Sequence, residues 1–192
     1  MQLRLYLAGP DVFRPDAAER GAELKALCEA QGAQGLYPLD VAADNIRRRC
    51  IAMIHDADAV IADISPFRGE HMDPGTAFEI GYAEALGKPF FLWSNEPRAL
   101  IERIAAGPQG RDGQGRLVED FGKPENLMIV PDGQRVWSGP AEAIAEAVEA
   151  LGFTTKNRRL QRQTRISVVI ALGISLIVAL AAGMLVDLLV GW

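Results

Sequence analysis

Two carboxylates, Asp73 and Glu79, lie around the start of one predicted helix and are the residues best suited to chemistry. Asp73 has the short acceptor side chain of a helix N-cap, and Pro74 suits the first helical position. Gly75 then leaves room for a ligand to approach the backbone amides. Glu79 lies about one and a half turns into the helix, among mostly apolar or small residues. A carboxylate in such surroundings costs free energy to bury unless it has partners or a function, so the pair predicts a site.

The elements that must position this pair alternate between strands and helices. The sequence predicts strands at residues 3–7, 35–38, 59–64, 90–93 and 127–130. It predicts helices at residues 16–31, 45–56, 74–86 and 141–151, with a glycine-rich and proline-rich loop at 107–125. This alternation predicts an α/β fold, with an open, mostly parallel five-stranded sheet of Rossmann or flavodoxin-like type and helices on both faces.

Open parallel sheets bind ligands beyond the carboxyl ends of their strands. Residues 8–11 follow the first predicted strand, residues 65–73 follow the third and residues 94–96 follow the fourth. Asp73 and Glu79 belong to the second of these places, so residue type and fold indicate the same edge of the sheet. Spacing alone leaves a simpler alternative open, in which Asp73 only caps its helix and Glu79 only projects into water.

The composition limits the class of protein. The chain has 192 residues, a net charge of −5 and 49% hydrophobic residues, which suits one medium domain plus an appendage. An acidic domain of this kind disfavours broad binding to nucleic acid. Cys28 and Cys50 have no metal-like spacing and fit a reducing compartment. The sequence shows no phosphate-binding glycine loop, zinc spacing or hydride-cofactor fingerprint, so we expect neither a metal nor a cofactor.

The carboxyl-terminal part of the chain differs from the rest. Residues 166–186 contain no charge and no proline, and at about 1.5 Å per residue such a helix reaches roughly 30 Å, the thickness of a bilayer core. Residues 156–165 before it are basic and contain no acid. By the positive-inside rule we expect a single-pass membrane protein with residues 1–152 in the cytoplasm, a basic linker at 153–165 and a transmembrane helix at 166–190 in the lipid bilayer. A buried core helix is the alternative.

Several motifs follow one another in order along about residues 3–137. They are Tyr6–Phe13, Ala57–Asp63, Arg68–Gly69, Asp73–Ala83, Gly87–Pro89 and Asn126–Ile129. This ordered set resembles the nucleoside 2-deoxyribosyltransferase family. The resemblance implies cleavage of the N-glycosidic bond of a 2′-deoxynucleoside, with the deoxyribosyl group held on the enzyme and passed to a second nucleobase. The basic linker and the apolar tail lie outside the resemblance.

The resemblance also implies roles for individual residues. Glu79 matches the nucleophile, and a carboxylate is suited to attack an anomeric carbon with oxocarbenium character, with net retention. Tyr6 matches the tyrosine that holds this carboxylate in position, although a strand tyrosine commonly packs in the core. Asp73 matches the aspartate that binds sugar hydroxyls. Asn126 matches an asparagine that reaches into the site of a neighbouring subunit, which implies a homo-oligomer; a turn residue is the plainer interpretation.

Five further residues complete the predicted substrate site. Gly9 follows the first predicted strand and Gly75 lies at the start of the site helix, and at both places the backbone is open to a ligand. Cys50 stands where the family usually has Asp or Asn, and a thiol is a weak hydrogen-bond partner for a base. Asp63 could take over that contact, or could only accept backbone amides of the following turn. Arg68 could contact a 5′-phosphate, or could simply be solvated.

These observations leave three functions open. The first is transfer of a 2-deoxyribosyl group between nucleobases through a covalent glutamyl–sugar intermediate, with deoxynucleosides and free nucleobases as substrates. The second is hydrolysis by an N-glycosidase that acts on deoxynucleosides or their 5′-monophosphates, because weak base recognition at Cys50 would let water compete. The third is a non-catalytic nucleotide sensor tethered to the membrane, since one fold hosts many functions.

Overall fold

A computed structural model describes residues 2–40, 45–152 and 191. Five strands form one sheet in the order β2-β1-β3-β4-β5, and each neighbouring pair is parallel. The strands are β1 (Arg4–Ala8), β2 (Gln34–Leu36), β3 (Ala59–Asp63), β4 (Phe90–Trp93) and β5 (Val136–Trp137). The predicted α/β fold with a five-stranded parallel sheet is therefore confirmed.

Helices connect the strands close to the predicted positions. They are α1 (Ala17–Ala30), α2 (Ile46–Asp56), α3 (Pro74–Ala85), α4 (Leu100–Arg103) and α5, which covers residues 140–152 of the part described. Short 3-10 helices at Pro10–Phe13 and Pro38–Asp40 follow β1 and β2. Helix α4 was not predicted, because a single turn is too short to show a periodic pattern.

The ends of the helices follow from local side-chain chemistry. Asn45 caps α2 by accepting a hydrogen bond from the Arg48 amide at 2.9 Å, and Asp73 caps α3 in the same way. Helix α3 ends before Gly87, whose φ of 66° lies in the left-handed region that glycine adopts without a Cβ clash. The site helix therefore has a fixed start and a fixed end.

Side chains alternate along β1 between two faces of the sheet. Tyr6 points to the side of α2 and α3, where it packs in one core cluster with Ile54 and Ile80. Leu7 points to the opposite side, where it lies beside Leu24 of α1. Helices thus cover both faces, which we call the α2–α3 face and the α1 face. This alternation decides which strand residues can reach α3.

The predicted fifth strand was wrong. Residues 127–130 form a turn in which the amides of Ile129 and Val130 both donate to the carbonyl oxygen of Asn126, at 2.8 and 3.0 Å. The fifth strand is Val136–Trp137, which pairs with β4. A short apolar run does not separate a strand from a partly buried turn, and a strand of two residues has no visible period.

The chain divides into two compact units, Met1–Glu149 and Ala150–Trp192, and the sheet belongs to the first. The predicted basic linker at 153–165 and the predicted transmembrane helix at 166–190 lie outside the described residues, and they stay predictions, as does the boundary after residue 152. Within the described part of the chain, no helix is both long and apolar enough to cross a bilayer.

Candidate active site

A cleft of about 290 Å³ lies between the loop that follows β1, helix α2 and the first turns of α3. Its lining consists of Gly9, Val12, Phe13, Pro38, Leu39, Ile46, Cys50, Asp73, Gly75, Thr76 and Glu79. A second cleft of about 340 Å³ adjoins it along α2, and the two share Ile46, Cys50, Gly75 and Glu79. The carboxylates stand on α3 and the remaining wall is mostly apolar, an arrangement typical of small-molecule sites.

Tyr6 and Glu79 meet across the gap between β1 and α3. The Tyr6 hydroxyl donates a hydrogen bond to Glu79 Oε1 at 2.5 Å. The Tyr6 side chain is fully buried, so strand and core packing fix the position of its hydroxyl. Glu79 is half-buried and lines both clefts. The pair thus presents a held carboxylate to a space that can accept a ligand.

Burial governs the ionisation of this pair. It raises the pKa of Glu79 to about 7, with a contribution from the negative charge of Asp73, while hydrogen bonds from Tyr6 and Cys50 act in the opposite direction. Burial also raises the pKa of the Tyr6 hydroxyl far above its ordinary value, so the hydroxyl stays a donor. Near neutral pH a part of the Glu79 population is therefore ionised and poorly solvated, a state that suits a nucleophile.

Asp73 is both the cap of α3 and a lining residue of the cleft. Its Oδ2 accepts from the Thr76 amide at 2.9 Å and from the Thr76 hydroxyl at 3.2 Å. A Cβ atom at Gly75 would lie 2.8 Å from the same Oδ2, so glycine is needed for the close approach. The carboxylate is buried and its orientation is fixed before any ligand binds.

Cys50 of α2 brings a thiol close to the Tyr6–Glu79 pair, where it affects the ionisation of both side chains. Burial raises the pKa of the thiol, which therefore stays neutral at neutral pH. A neutral thiol is a weak donor and a weak acceptor, so it offers a nucleobase little directional contact. In the part of the chain that the structure describes, no three His, Cys, Asp or Glu side chains are grouped to hold a metal ion.

The structure does not bring Asp63 to the Glu79 cleft. Asp63 points to the α1 face, into a separate cavity of about 10 Å³ that Asp11 and Tyr37 also line. Its Oδ1 accepts from the Ser65 amide at 2.9 Å, so the turn interpretation accounts for it, and burial raises its pKa to about 6. Gly9 lines both spaces, and a Cβ atom there would lie 3.0 Å from the Cβ of Asp63.

Asn126 is likewise not among the residues that line the cleft of its own chain. Its Nδ2 donates to Glu119 Oε1 at 2.5 Å, and its Oδ1 accepts from the Met128 amide at 2.8 Å. Within one chain, Asn126 therefore holds a turn.

Arg68 lies on the loop between β3 and α3, beside the cleft and not in its lining. Its guanidinium carbon is 5.0 Å from the centre of the Phe13 ring and 4.6 Å from that of Phe67. Phe13 itself lines the cleft. Arg68 thus contacts a residue of the cleft wall without lining the cleft itself.

Sequence reasoning missed the apolar wall of the cleft. Phe13, Leu39 and Ile46 are 57%, 46% and 62% exposed, which is unusual for large apolar side chains. The sequence shows them as apolar residues near predicted element ends, but it does not show that they are exposed. Thr76, which follows Gly75 at the helix start where the sequence leaves room for a ligand, also lines the cleft.

The chain is similar to known proteins over most of the part that carries this site. Residues 5–128 match the family model for nucleoside 2-deoxyribosyltransferase. A solved structure of a 2-deoxyribosyltransferase from Leishmania mexicana is 41% identical, covers 77% of this chain and 97% of its own, and superposes with a TM-score of 0.69. A Schizosaccharomyces pombe protein of uncharacterised function is 35% identical over 155 residues, which is 65% of this chain and 74% of that one.

The chain therefore belongs to the nucleoside 2-deoxyribosyltransferase family, and the resemblance noted from its motifs is confirmed. Membership indicates an enzyme of nucleoside deoxyribosyltransferase type. Neither likeness supports the alternative of a non-catalytic sensor tethered to a membrane.

Proposed function

We propose that the protein transfers a 2-deoxyribosyl group from one nucleobase to another, with Glu79 as the nucleophile. The observation that carries this proposal is the Glu79 carboxylate itself. It is half-buried, accepts a hydrogen bond from the Tyr6 hydroxyl at 2.5 Å and lines a cleft of about 290 Å³. A carboxylate held in this way can form and release a bond to a sugar carbon without moving its backbone.

The reaction has two displacements at C1′. In the first, a Glu79 oxygen bonds to C1′ while the C1′–N bond breaks; the departing base keeps the electron pair and takes a proton from solvent. In the second, a ring nitrogen of the acceptor base bonds to C1′ and gives its proton to solvent, while the C1′–O bond breaks and restores the carboxylate. Two inversions give net retention, and the negative charge of Glu79 stabilises the oxocarbenium-like transition state.

Tyr6 and Asp73 position the reactants in this proposal. Tyr6 remains protonated, so its hydroxyl keeps one carboxylate oxygen fixed and leaves the other to react. Asp73 accepts sugar hydroxyls, because its carboxylate lines the cleft with its orientation already set by Thr76. Preorganisation of this kind lowers the barrier without new contacts forming during the reaction.

Hydrolysis is the second candidate, and Cys50 is the observation that favours it. The neutral thiol lies beside Glu79 in the lining of both clefts, where a stronger donor and acceptor would hold an acceptor base. If the base is held weakly, water can attack C1′ of the glutamyl–sugar intermediate, which would release free 2-deoxyribose and make the enzyme an N-glycosidase.

Product analysis tests both candidates. The full chain is incubated with a 2′-deoxynucleoside, with and without a second free base, and the products are separated by chromatography. Transfer predicts the exchanged nucleoside when the acceptor is present, and none with Glu79→Gln. Free 2-deoxyribose formed at the same rate without an acceptor would support hydrolysis instead. Absence of cleavage at high enzyme concentration would contradict both.

We also propose a homo-oligomer in which Asn126 of the partner subunit completes the cleft. The segment around Asn126 exposes Leu117, Phe121 and Met128 by 69%, 55% and 76%, and the cleft region exposes Ile46 by 62%. Large exposed apolar side chains in two places of one chain suit a surface that pairs with another copy.

Mixing two inactive variants tests this arrangement. Subunits with Glu79→Gln and subunits with Asn126→Ala are each expected to lose activity. A mixed oligomer should recover part of it, because one of its clefts then combines an intact Glu79 with an intact Asn126. A monomeric enzyme, measured by light scattering at assay concentration, would contradict the proposal.

A further inference from the structure

Arg68 has a backbone conformation that its residue type does not favour. Arg68 is the only non-glycine residue with a positive φ among the residues that the structure describes. Its φ is 54°, and Gly69 follows with a φ of 140°. A side chain with a Cβ is strained in the left-handed region, whereas glycine adopts it freely. An arginine at this position therefore indicates a use for the side chain that offsets the strain.

Contacts of the residues after Gly69 anchor the loop that carries Arg68. His71 Nδ1 lies 2.8 Å from Oε1 of Glu125, a buried carboxylate, and Arg103 Nη1 donates to the Glu70 carbonyl oxygen at 2.6 Å. The first contact ties the loop to the segment before Asn126, and the second ties it to α4. Strain persists where the surroundings over-determine the backbone, and such places are common at functional sites.

The guanidinium of Arg68 is held by two aromatic rings. The rings of Phe13 and Phe67 stack on each other with centres 5.5 Å apart and an angle of 22°, and the guanidinium contacts both. Contact with ring faces fixes a flat cation but leaves its N–H groups free to bind an anion. Within the described residues Arg68 forms no ion pair, whereas Arg14 and Arg20 both pair with acids.

The charges around the cleft make this cation significant. The described lining of the 290 Å³ cleft carries two carboxylates, Asp73 and Glu79, and no lysine or arginine. A phosphate on the substrate would be repelled by both acids and needs a cation at the rim. Arg68 contacts Phe13 of that rim and precedes Asp73 on the same loop.

We propose that Arg68, stacked on Phe13 and Phe67, is a phosphate subsite, and that the enzyme prefers 2′-deoxynucleoside 5′-monophosphates to the corresponding nucleosides. This inference rests on the proposed function, because that function places C1′ at Glu79 and the sugar hydroxyls at Asp73. The 5′ substituent then extends toward the loop that carries Arg68. A planar guanidinium fork matches two phosphate oxygens, so the N–H groups that the rings leave free are suited to this ligand.

The test compares kcat/KM for one 2′-deoxynucleoside and its 5′-monophosphate. The unmodified enzyme should favour the monophosphate. Arg68→Gln should lower kcat/KM for the monophosphate about 10- to 100-fold and for the nucleoside by less than about threefold, because a charge-assisted contact is lost with one substrate alone. Arg68→Lys should fall between, since it keeps the charge and loses the fork. Arg135→Gln is the matched control: it removes an arginine from the ring of Trp137, 3.5 Å away, and should leave the substrate ratio unchanged.

Binding measurements separate this inference from the proposed function. In the Glu79→Gln variant, calorimetry gives Kd for the monophosphate and for the nucleoside without turnover. Adding Arg68→Gln should weaken the binding of the monophosphate and leave the binding of the nucleoside unchanged. An enzyme that cleaves nucleosides and disfavours monophosphates overturns the phosphate subsite and leaves the proposed function intact. Equal losses on both substrates with Arg68→Gln would show a purely structural arginine and also overturn it. If neither compound is cleaved, the proposed function fails and the two Kd values decide the subsite.

Discussion

Each face of the sheet buries an acid close to a tyrosine: Glu79 with Tyr6 on the α2–α3 face, and Asp63 with Tyr37 on the α1 face. Burial raises the pKa of both acids, to about 7 and about 6. The first pair opens onto a cleft of about 290 Å³, and the second onto a cavity of about 10 Å³. The smaller space holds about one water molecule. A raised pKa therefore reports burial, and the space in front of the acid decides whether it can meet a substrate.

The tyrosines of the two faces also differ, in their hydrogen bonding. Tyr6 donates to Glu79, whereas the buried hydroxyl of Tyr37 has no hydrogen-bond partner in the part of the chain that the structure describes. Asp63 instead accepts the Ser65 amide and holds a turn. On one face a polar pair is preorganised for a ligand, and on the other similar groups serve the packing of a loop.

Removing the two acids gives the largest expected contrast. Glu79→Gln should lower kcat for N-glycosidic cleavage by at least about 10³-fold, because the amide cannot form the intermediate. Asp63→Asn should change kcat by less than about threefold. Steady-state kinetics on both variants, each checked for folding by circular dichroism, measures the contrast. Comparable losses would mean that the two faces share the reaction.

The two tyrosine hydroxyls give the next contrast. Tyr6→Phe should lower kcat/KM about 10- to 100-fold, since Glu79 loses the hydrogen bond that orients it. That bond also lowers the pKa of Glu79, so its loss should move the acidic limb of the pH profile to higher pH. Tyr37→Phe should leave kcat/KM unchanged and leave stability equal or higher, because a buried hydroxyl without a partner is removed. A fall in kcat/KM with Tyr37→Phe would contradict the claim that only the tyrosine of the α2–α3 face takes part in the reaction.

Substituting alanine for one glycine on each face should affect activity in one case and stability in the other. A Cβ at Gly75 would lie 2.8 Å from Asp73 Oδ2, so Gly75→Ala should displace that carboxylate and raise KM about tenfold. A Cβ at Gly21 would lie 2.5 Å from the Tyr37 ring, so Gly21→Ala should lower the free energy of unfolding by about 1–3 kcal/mol. Urea denaturation and kinetics on both variants are the measurements. Loss of turnover per folded molecule in Gly21→Ala would contradict the division.

The pH dependence gives the smallest effect and has opposite signs for rate and stability. Because the reactive form of Glu79 is ionised, kcat/KM should rise with pH through about 7. The usual pKa of the group is 4.5, so between about pH 4.5 and 7 the unfolded chain releases a proton that the folded chain keeps. The free energy of unfolding should therefore fall across this window. Glu79→Gln should remove the part of that dependence that comes from Glu79 and stabilise the protein at pH 8 by about 1–3 kcal/mol, measured by chemical denaturation. Asp63, whose pKa burial raises to about 6, keeps a smaller fall at lower pH.

Local signals made part of the site predictable. Asp73, Pro74 and Gly87 mark the two ends of α3, and these marks depend on neighbouring residues alone. The motif order paired Tyr6 with Glu79, and the structure brings the two side chains together. These predictions held because each depends on a cap, a period or a motif that the chain displays directly.

Other parts depend on contacts that no local pattern records. Asp63 ends β3, and the pairing register of that strand decides which face its side chain reaches; a shift of one residue would have sent it to the cleft. The strand at Val136–Trp137 is too short to show a pattern. The proposed role of Arg68 rests on its φ and on its contact with Phe13, which is distant in sequence, and neither is visible before the chain folds.

Tyr6 lies on an inner strand of the sheet, and Glu79 lies on a helix that is capped at its start. The exposed residues of the cleft wall lie elsewhere: Phe13 and Leu39 belong to the two short 3-10 helices, and Ile46 is the first residue of α2. In the proposed function, the groups that break the bond and the apolar wall that would face the base therefore belong to different parts of the architecture. Libraries restricted to those wall positions can redirect the enzyme toward new nucleobase analogues while its reactive centre stays intact.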